Sequence, residues 1–555
     1  MEVYANSHLN WSKKINSDSR TINLLGIYYH LNIQRDFTPG ITSMTDRIHY
    51  YALLSWYWQN IHGDVNSIDF EKIFVLSCLT HHGGDDKSPY LSNVFNKQKL
   101  KPVWDDNDEF LLDKVSINGY ASNYYKRQLE IFRCVWRDEF GLDNFSLINK
   151  KLSESLGTFP LSFFKKNSFN KDELYEMGAE GLCVCNIENN NEEKTIMSKL
   201  LFGFFSNIDG EWDIDEKEFE YFNNGKINLK FSGNKEFNNE QEQIAEQNHR
   251  RQNTLFLFLK IIKEVNPLLK PGILFRRYIW DALYFSQNRE DNRSIKYGRL
   301  QQIKSYWEFF QINLYYVYVI EKIFDVIQRI IRLNPGIKRT DILKKIDKNQ
   351  LFSVLNDKLE SNAINKESKL SDILNIVHMT NGSSFTSLNS KINESLLIDN
   401  LYDAESNEEI VSHAIVFLLL LFDKFNSIDD IIKEKNRQTV INSIEFLYMD
   451  SIFEFIQNNL SKITIEQLIE KLAIIIINRH LHETSTRLSI GTKNWVFLEE
   501  DGRLYYERTN LVTFGPQDNR WDSIKNLLLD LDFIYINKNR LNITNKGIEW
   551  LKRIE

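Results

Sequence analysis

Proline and cysteine are scarce in this chain, and each scarcity narrows the class of protein. Only 8 prolines occur in 555 residues, which leaves room for long helices and disfavours a loop-rich β fold. The 4 cysteines include no Cys-x-x-Cys pair, so a disulfide scaffold is not expected and a reducing cytoplasm fits best. Cys183 and Cys185 would share one face of a strand, and we interpret them as small buried hydrophobic side chains.

Long apolar runs and nucleotide-binding motifs are missing as well. The longest fully apolar run, residues 414–422, is too short to span a bilayer, so we expect a buried core helix there and no membrane partner. The first residues lack the apolar run of a secretory signal. Neither a phosphate loop, nor GxGxxG after a strand, nor a GxSxG elbow occurs, which argues against nucleotide hydrolysis and serine acyl transfer. No cofactor is expected, and any ATP would have to be used by a partner.

Positive charge is in short supply relative to negative charge. The 68 basic residues are outnumbered by 76 acidic ones, which gives a formal net charge of -8. A protein that coats nucleic acid or an anionic membrane along its whole surface would carry the opposite balance. Any contact with nucleic acid must therefore be local.

Hydrophobic content is sufficient for several cores. A single core stops growing near about 250 to 300 residues, so we predict a mainly α, multi-domain protein: a helical body with a β-hairpin and a C-terminal winged-helix domain. Residues 209–220 carry seven acids against one lysine and offer little apolar surface to bury, which is typical of a solvated linker or a peripheral insertion. The expected divisions are an N-terminal helical domain (1–160), an acidic, Asn-rich insertion or linker (161–250), a central helical domain (251–490), and a β-hairpin plus winged-helix domain (491–555).

The winged-helix prediction comes from the order of elements near the carboxyl end. Residues 495–508 alternate around Asp501-Gly502, which is a strong hairpin signal. A helix, a strand, a tight turn at residues 537–539, a second strand and a last helix follow. This order is typical of the end of a winged-helix fold.

A turn at Pro39-Gly40 leads into a helix that is rich in aromatic residues. Hydroxyl and carboxylate side chains around Thr45 suit the free N–H groups of a first turn, so the helix is expected to start within a residue or two of Thr45. Tyr50 and Tyr51 lie three and four places after Arg47. We therefore expect the Arg47 guanidinium to lie over an aromatic ring while its head stays in water.

Two stretches contain residue types that bind metals. The first is His81-His82-Gly83-Gly84-Asp85-Asp86, whose imidazoles and carboxylates suit zinc, manganese or iron. Adjacent residues at a helix end point in different directions, however, so we favour a helix that ends at Gly83 with histidines near its negative end. The second stretch holds His480, His482 and Glu483 without the spacing of HExxH, and a structural role is again favoured. No metal is assigned.

Two regions could contact nucleic acid. Residues 270–304 carry eight basic side chains against three acids, with Tyr278, Trp280, Tyr284 and Tyr297 between them, so cations could neutralise phosphates while rings stack on bases. A solvated helix pair with core aromatics is the alternative. The predicted wing and the helix before it form the second region, where docking of a protein subunit is equally compatible. The candidate contacts are Arg276, Arg277, Arg289, Arg293, Arg299, Lys525, Lys538 and Arg540.

With these residues in view, the chain resembles a group of bacterial proteins found in anti-phage defence islands beside genes for chromosome-maintenance-like or other ATPases. The similarity lies in a short N-terminal signature, in the His81–Asp86 loop, in the tyrosine-rich helix around residues 307–318, and in the 479–488 stretch with the hairpin that follows it. The signature residues are Pro39, Gly40, Thr45, Arg47, Tyr50 and Tyr51. The second basic position of the signature is commonly arginine and is histidine here, at His49. The resemblance implies a component of a multi-gene defence system and assigns no catalytic residue.

Three hypotheses follow. The first is a non-catalytic, cytoplasmic subunit of an anti-phage or anti-plasmid complex, which docks a partner ATPase, binds double-stranded DNA, or does both. The second is a metal-dependent nuclease or toxic effector with His81, His82, Asp85 and Asp86 near its centre. Stoichiometric zinc or manganese in the purified chain, or cleavage of DNA or RNA by the chain alone, would rule out the first hypothesis. The third is a winged-helix transcriptional regulator.

Overall fold

The chain is mainly helical, as its composition predicts. The computed structural model describes residues 25, 36–42, 47–91, 94–117, 119–137, 143–225, 239–269, 274–383, 386–430, 432–433, 447–489, 495–508, 510–512 and 520–555. The helices are α1 (His49–Asn60), α2 (Ser67–His81), α3 (Lys97–Asp106), α4 (Tyr120–Ile131), α5 (Leu147–Ser155), α6 (Leu161–Phe164), α7 (Lys171–Met177), α8 (Asn191–Leu201), α9 (Glu216–Asn223), α10 (Glu240–Val265), α11 (Leu274–Phe285), α12 (Gln301–Leu333), α13 (Lys348–Lys358), α14 (Leu370–Asn381), α15 (Glu394–Asp403), α16 (Asn407–Asn426), α17 (Met449–Asn459), α18 (Ile465–Ser489), α19 (Trp521–Asp530) and α20 (Asn545–Lys552).

The strands are short and form small antiparallel sheets. Among the described residues, four pairs (β1 with β4, β2 with β3, β5 with β6, β10 with β11) stand beside one three-stranded sheet in the order β7-β9-β8. The strands are β1 (Glu109–Leu111), β2 (Val135–Arg137), β3 (Asp143–Phe145), β4 (Ser168–Asn170), β5 (Phe205–Ile208), β6 (Glu211–Ile214), β7 (Ile337–Lys338), β8 (Phe497–Glu500), β9 (Arg503–Tyr506), β10 (Ile534–Asn537) and β11 (Arg540–Ile543).

The chain divides into two units. The amino-terminal unit contains Gln34–Arg276, Tyr297–Ile303 and Asp518–Glu555. The central unit contains Met1–Ile33, Arg277–Lys296 and Lys304–Gln517. The predicted hairpin around Asp501-Gly502 is present as β8–β9 and belongs to the central unit, whereas the helices and strands after it belong to the amino-terminal unit. The segment expected to form a single carboxyl-terminal domain is thus shared between the two units.

The aromatic helix α1 lies in the core of the amino-terminal unit. Tyr50 stacks on Tyr125 of α4 at a centroid distance of 4.8 Å, and Tyr51 meets the same ring edge-on. All of its residues from His49 to Trp58 are buried, because the helix packs against α4 and α5, and Tyr50 also meets Phe74 of α2 at a centroid distance of 4.9 Å. Burial of large aromatic side chains is the main source of its stability.

Residues 205–223 of the acidic stretch are folded, so they are not a solvated linker, while the alternative of a peripheral insertion stays a prediction. Residues 205–214 form the β5–β6 hairpin, and α9 follows it. The rings of Phe204, Phe219 and Phe222 gather around Trp550 of α20, with Phe222 and Trp550 at 4.9 Å. The acids of this stretch are exposed or half-buried, whereas Phe219 and Phe222, three residues apart on α9, both face Trp550. The charge count concealed this amphipathic pattern.

Near the carboxyl end, the predicted order of helix, strand, turn, strand and helix is present as α19, β10, β11 and α20. Lys538 and Asn539 both have positive φ, as a two-residue hairpin turn requires. The hairpin is attached to α10 through a bridge between Leu268 and Arg540. No winged-helix domain is identified in the described residues, so only the local order of elements is confirmed.

The central unit is built around α12 and α16. The run at residues 414–422 lies within α16 and is buried, as predicted. The end of α12 falls at Leu333, immediately before Asn334-Pro335-Gly336, and β7 then joins the β8–β9 hairpin. In the part of the chain that the structure covers, no helix is both long enough and apolar enough to cross a bilayer.

Candidate metal centre

The end of α2 exposes two adjacent histidines. The helix starts at Ser67 because the Asn66 side chain accepts the N–H of Asp69, and it ends at His81. Gly83 and Gly84 both have positive φ, and their N–H groups return to the carbonyls of Thr80 and Leu79. This is the glycine-terminated helix end that the sequence predicts. His81 and His82 are half-buried there.

A second segment brings two cysteines to the same place. Residues Gly178–Leu182 form a π-helical turn and Val184–Glu188 a 3-10 helix, so Cys183 and Cys185 do not lie on a strand, and that prediction is wrong. Gly178 allows the segment to approach α2 closely, since a Cβ at this position would lie 2.9 Å from both Ser77 O and His81 Cβ. Any larger residue would separate the two segments.

The four side chains converge on one point. Cys183 Sγ lies 3.4 Å from His82 Nε2, Cys185 Sγ lies 3.4 Å from His81 Nδ1, and the two sulfur atoms are 3.4 Å apart. All four ligand atoms lie within 4.8 Å of one another. No other group of three or more His, Cys, Asp or Glu side chains converges in this way within the described residues.

These distances suit a tetrahedral zinc ion. Zinc bound to two thiolates and two imidazoles has ligand-to-ligand edges of about 3.3 to 3.8 Å, as follows from its usual bond lengths. Sulfur and nitrogen donors are those zinc prefers, whereas Mg²⁺, Ca²⁺ and Mn²⁺ prefer oxygen. Cys183 is buried and Cys185 is half-buried, as small hydrophobic side chains can be, but the convergence also makes both sulfur atoms candidate ligands.

The acids predicted near this site are not part of it. Asp85 is exposed, and its carboxylate accepts the N–H of Lys87. Asp86 is half-buried, and its backbone carbonyl accepts a hydrogen bond from Lys97. Neither carboxylate belongs to the converging group. The two acids that the nuclease hypothesis needs beside the histidines are thus absent from the ligand set.

The pKa shifts favour metal binding at the two histidines and oppose it at the two cysteines, because a metal binds neutral imidazole and thiolate. Burial lowers the pKa of both His81 and His82, so both imidazoles are neutral near pH 7. The pKa of Cys185 is raised by its hydrogen bond with Cys183 and by burial. For Cys183, the hydrogen bond with Cys185 lowers the pKa, but a hydrogen bond with Cys78 and burial outweigh it, so the pKa is raised overall. Zinc deprotonates thiols that it coordinates, so binding would release protons.

The second histidine cluster has the structural role that the sequence favours. His480 is buried in the central unit, and its Nε2 accepts the N–H of Val496 at 3.3 Å. Its ring packs on Phe497 with centroids 4.4 Å apart. Glu483 pairs with Arg479 one helical turn away. The acceptor role of His480 leaves its Nε2 committed to the hairpin backbone.

The basic residues proposed to contact nucleic acid are placed in different surroundings. In the amino-terminal unit, Arg276 and Lys525 share the carboxylate of Asp522, at 2.7 and 2.9 Å. Arg540 donates to the Asn266 carbonyl, and its neighbour Lys538 is exposed at the hairpin turn. The charges on α19 that could meet phosphate are thus largely neutralised within the fold.

In the central unit, Arg277 pairs with Asp399 and is almost fully buried, and Arg289 pairs with Asp281. Arg293 is exposed, and Arg299, which belongs to the amino-terminal unit, is exposed as well. The expectation of rings stacking on bases is wrong, because all four aromatic side chains are core residues: Tyr278, Trp280, Tyr284 and Tyr297. Binding of nucleic acid by the candidate cations stays a prediction.

The signature residues that the structure describes are buried in the amino-terminal unit. Gly40 has φ +81°, and a Cβ there would lie 2.6 Å from the ring of Phe132. Tyr51 donates its hydroxyl to the Gly40 carbonyl at 3.0 Å, and the Pro39 carbonyl accepts from the buried Arg251. These contacts explain why the turn needs a small residue with positive φ.

The predicted start of α1 and the predicted exposure of Arg47 are wrong. The helix starts at His49, and Thr45 lies outside the described residues. Arg47 is only 6% exposed, its Nε donates to Asp530 at 3.1 Å, and its Nη1 donates to the Tyr90 carbonyl at 2.8 Å. The N–H of Ile48 also donates to Asp530, at 3.0 Å. A carboxylate more than 480 residues away in sequence therefore caps the helix, and no local pattern could reveal it.

Compared with known protein families, curated proteins and solved structures, the chain matches none of them.

Proposed function

We propose that this protein binds one structural zinc ion through His81, His82, Cys183 and Cys185, and that it acts as a non-catalytic scaffold. The zinc would join the end of α2 to the Gly178–Glu188 segment, which lies about a hundred residues later in the chain. Closing so long a loop removes chain entropy from the unfolded state. The bound metal would thus add directly to the stability of the amino-terminal unit.

The convergence of four protein ligands on one point carries this proposal. Catalytic zinc sites use three protein ligands and keep a fourth position for water or substrate, whereas structural sites are closed by four. Two thiolates and two imidazoles would fill the tetrahedron. A closed centre holds parts of a protein together and offers no position for an attacking water. Contrary to the expectation from the sequence, stoichiometric zinc in a closed centre would therefore not rule out the scaffold role.

Metal analysis of the purified chain tests the zinc assignment. The wild-type protein should carry about one zinc per chain, and Cys185→Ser should lose it. Cys134→Ala is the matched control, because Cys134 is a buried cysteine of the same unit that is not in the ligand group. Equal zinc content in wild type and Cys185→Ser would contradict the assignment. Cleavage of DNA or RNA by wild type, lost in Cys185→Ser, would contradict the scaffold role.

The wider role that we propose is the one implied by the resemblance: a subunit of a bacterial anti-phage or anti-plasmid complex that docks a partner ATPase. The largely helical body of the chain and a metal centre without a reactive position support a structural part in such an assembly. Affinity purification of the tagged chain together with the product of a neighbouring ATPase gene tests this role. A stable complex with a fixed ratio of subunits is expected, and the absence of any complex would contradict it.

Contact with DNA is a separate part of this proposal. It rests on Arg299 and Lys538, which are exposed, and on Arg293, whose ion pair with Asp291 is itself exposed. Binding driven by phosphate contacts weakens linearly in the logarithm of salt concentration, with a slope set by the number of contacts. Replacing Arg299 by Gln should reduce that slope by about one. Salt-independent binding, or none at low salt, would remove DNA from the proposal.

A further inference from the structure

A buried histidine stands behind the cysteine side of the metal centre. His49 is the first residue of α1, and its ring is fully buried. Its Nδ1 lies 3.0 and 3.1 Å from the two carboxylate oxygens of Glu193, and its Nε2 lies 2.8 Å from the Gly181 carbonyl. Both ring nitrogens face acceptors, so each must donate a proton and the ring is an imidazolium. Burial lowers the pKa of His49, but the Glu193 carboxylate outweighs it and raises the pKa overall.

The peptide that His49 holds belongs to the cysteine segment. Gly181 precedes Cys183 by two residues and has φ +143°, a conformation that other residues rarely adopt. A Cβ at Gly181 would also lie 3.1 Å from the Phe159 ring. The cysteine segment is also held by the Gly178 carbonyl, which accepts hydrogen bonds from Cys183 N and Asn186 Nδ2. The direction of the Cys183 side chain therefore depends on a peptide whose carbonyl is fixed by His49.

Glu193 is itself held in place. It is the third residue of α8, and its N–H donates to the side chain of the cap residue Asn190 at 3.0 Å. Its carboxylate is fully buried, and removing the partner of a buried charge is costly. The pair thus connects the starts of α1 and α8 to the cysteine segment.

The histidine side of the centre is contacted by a residue just before α1. Arg47, two residues before His49, donates to the carbonyl of Tyr90. The Tyr90 ring stacks on His82 with centroids 5.3 Å apart and planes inclined by 23°. Two cations from one short stretch therefore support opposite halves of the ligand set.

We infer that His49 and Glu193 are positioning residues of the metal centre: they fix the Gly181 peptide so that both sulfur atoms point at one ion. This inference rests on the proposed zinc site. Groups behind the ligands of a zinc site orient those ligands, and losing one typically costs about 10- to 100-fold in metal affinity. The alternative is an ordinary buried ion pair that stabilises the core and leaves zinc affinity unchanged.

Zinc affinity of the full chain separates these two roles. The variants are His49→Gln and Glu193→Gln. The matched control is Tyr57→Phe on the same helix as His49, which removes a hydroxyl that donates a hydrogen bond to the Val65 carbonyl. The dissociation constant for zinc is measured by competition with a chromophoric chelator, and visible spectra of the Co²⁺-loaded proteins report ligand geometry. We expect His49→Gln to bind zinc about 10- to 100-fold more weakly with an altered Co²⁺ spectrum, while Tyr57→Phe matches wild type.

A dissociation constant for His49→Gln within threefold of wild type, with an unchanged Co²⁺ spectrum, would overturn the positioning role and leave the zinc site intact. A wild-type chain that takes up neither Zn²⁺ nor Co²⁺ would overturn both proposals. If His49→Gln does not fold, Glu193→Gln decides by the same threefold limit, because the amide keeps the size of the side chain, removes its charge and replaces one of the two acceptor oxygens by a donor. Circular dichroism of each variant establishes that it is folded.

Discussion

Two glycines at the end of α2 differ only in what surrounds them. Gly83 and Gly84 both have positive φ, at +58° and +76°, so both suit glycine on backbone grounds. Nothing lies within 4 Å of a Cβ built on Gly83, whereas a Cβ on Gly84 would lie 2.0 Å from the Trp104 ring. The indole N–H of Trp104 donates to Thr80 at 3.0 Å, which fixes the ring against the helix end. Gly84 therefore sets the distance between α2 and α3.

Substitution of these glycines separates backbone strain from crowding. Gly83→Ala should lower the free energy of unfolding by about 1 kcal/mol, the usual cost of a side chain at positive φ. Gly84→Ala should cost about 3 kcal/mol, because Trp104 must move as well. Urea denaturation followed by tryptophan fluorescence measures both values. Equal losses for the two variants would contradict the close packing of Trp104.

His413 makes the central unit sensitive to acid. Burial, with help from the nearby charge of Lys358, lowers the pKa of His413 from 6.5 to about 4. Between these pH values the imidazole of His413 is protonated in the unfolded chain and neutral in the folded chain. The stability contributed by its neutral form is therefore fully present above pH 6.5 and is lost as the pH falls toward 4. Between pH 7 and pH 5 we expect the wild type to lose about 1 to 2 kcal/mol through this group.

The same pH series on His413→Gln isolates the effect. Glutamine does not titrate, so the variant should lose less stability than wild type over that interval. Thermal denaturation at matched ionic strength provides the comparison. A variant whose stability falls as steeply as that of wild type would show that another group is responsible.

At the scale of elements, helix boundaries set by local chemistry were predictable. The end of α2 at Gly83 and the end of α12 before Asn334-Pro335 follow from glycine and proline, whose effects are confined to neighbouring residues. The start of α1 was not predictable, because its cap is supplied by Asp530 from the other end of the sequence. Local sequence signals therefore predict where helices lie, but they do not predict the distant contacts that stabilise the helix ends.

The candidate metal centre shows the same limit. A pair of adjacent histidines and a Cys-x-Cys pair are each weak signals, and about a hundred residues separate them. The chemical signal that could have joined them is donor type, since thiolate and imidazole together are typical of zinc. The sequence analysis instead favoured a helix end without a metal, and only its nuclease alternative joined the histidines with Asp85 and Asp86, which are their neighbours in the chain. The fold brings the histidine pair and the cysteine pair into contact, although they are distant in the sequence.

The basic run between residues 270 and 304 illustrates how a fold can neutralise a surface pattern. Within the central unit, Asp281 is fully buried on α11, and Arg289 pairs with it. Arg289 Nη1 also donates to the Ser395 hydroxyl at the start of α15. The arginine thus connects two helices, and this role suffices to explain its presence.

Removing the carboxylate of Asp281 should therefore lower the stability of the central unit. We expect Asp281→Ala to lower the free energy of unfolding by about 3 kcal/mol, because it leaves Arg289 without its partner in a partly buried site. Asp291→Ala is the matched control, since Asp291 lies near Arg293 on the surface, where both side chains are more than half exposed. That variant should change stability by less than about 0.5 kcal/mol. Chemical denaturation of both variants provides the comparison, and similar losses would contradict a structural role for Arg289.

At the scale of the whole molecule, the proposed zinc lies in one unit only. All four ligands belong to the stretch 34–276 of the amino-terminal unit. The central unit has its own core around α12 and α16, with no converging ligand group in its described residues. The two units should therefore respond differently to loss of the metal.

Hydrogen exchange before and after chelation tests this difference. Removal of zinc should increase amide exchange around residues 81–91 and 178–188, because the ion no longer joins these segments. Exchange in α16, residues 407–426, should stay as slow as before. A uniform increase over the entire chain would mean that the metal supports both units, and no increase anywhere would mean that it supports neither.

X-ray absorption at the zinc edge of the purified, zinc-loaded protein tests the central claim most directly. The proposed centre predicts two sulfur ligands at about 2.3 Å and two nitrogen ligands at about 2.0 to 2.1 Å, with no further oxygen in the shell. A shell made only of nitrogen and oxygen, or one in which a water replaces a protein ligand, would contradict a closed centre formed by His81, His82, Cys183 and Cys185.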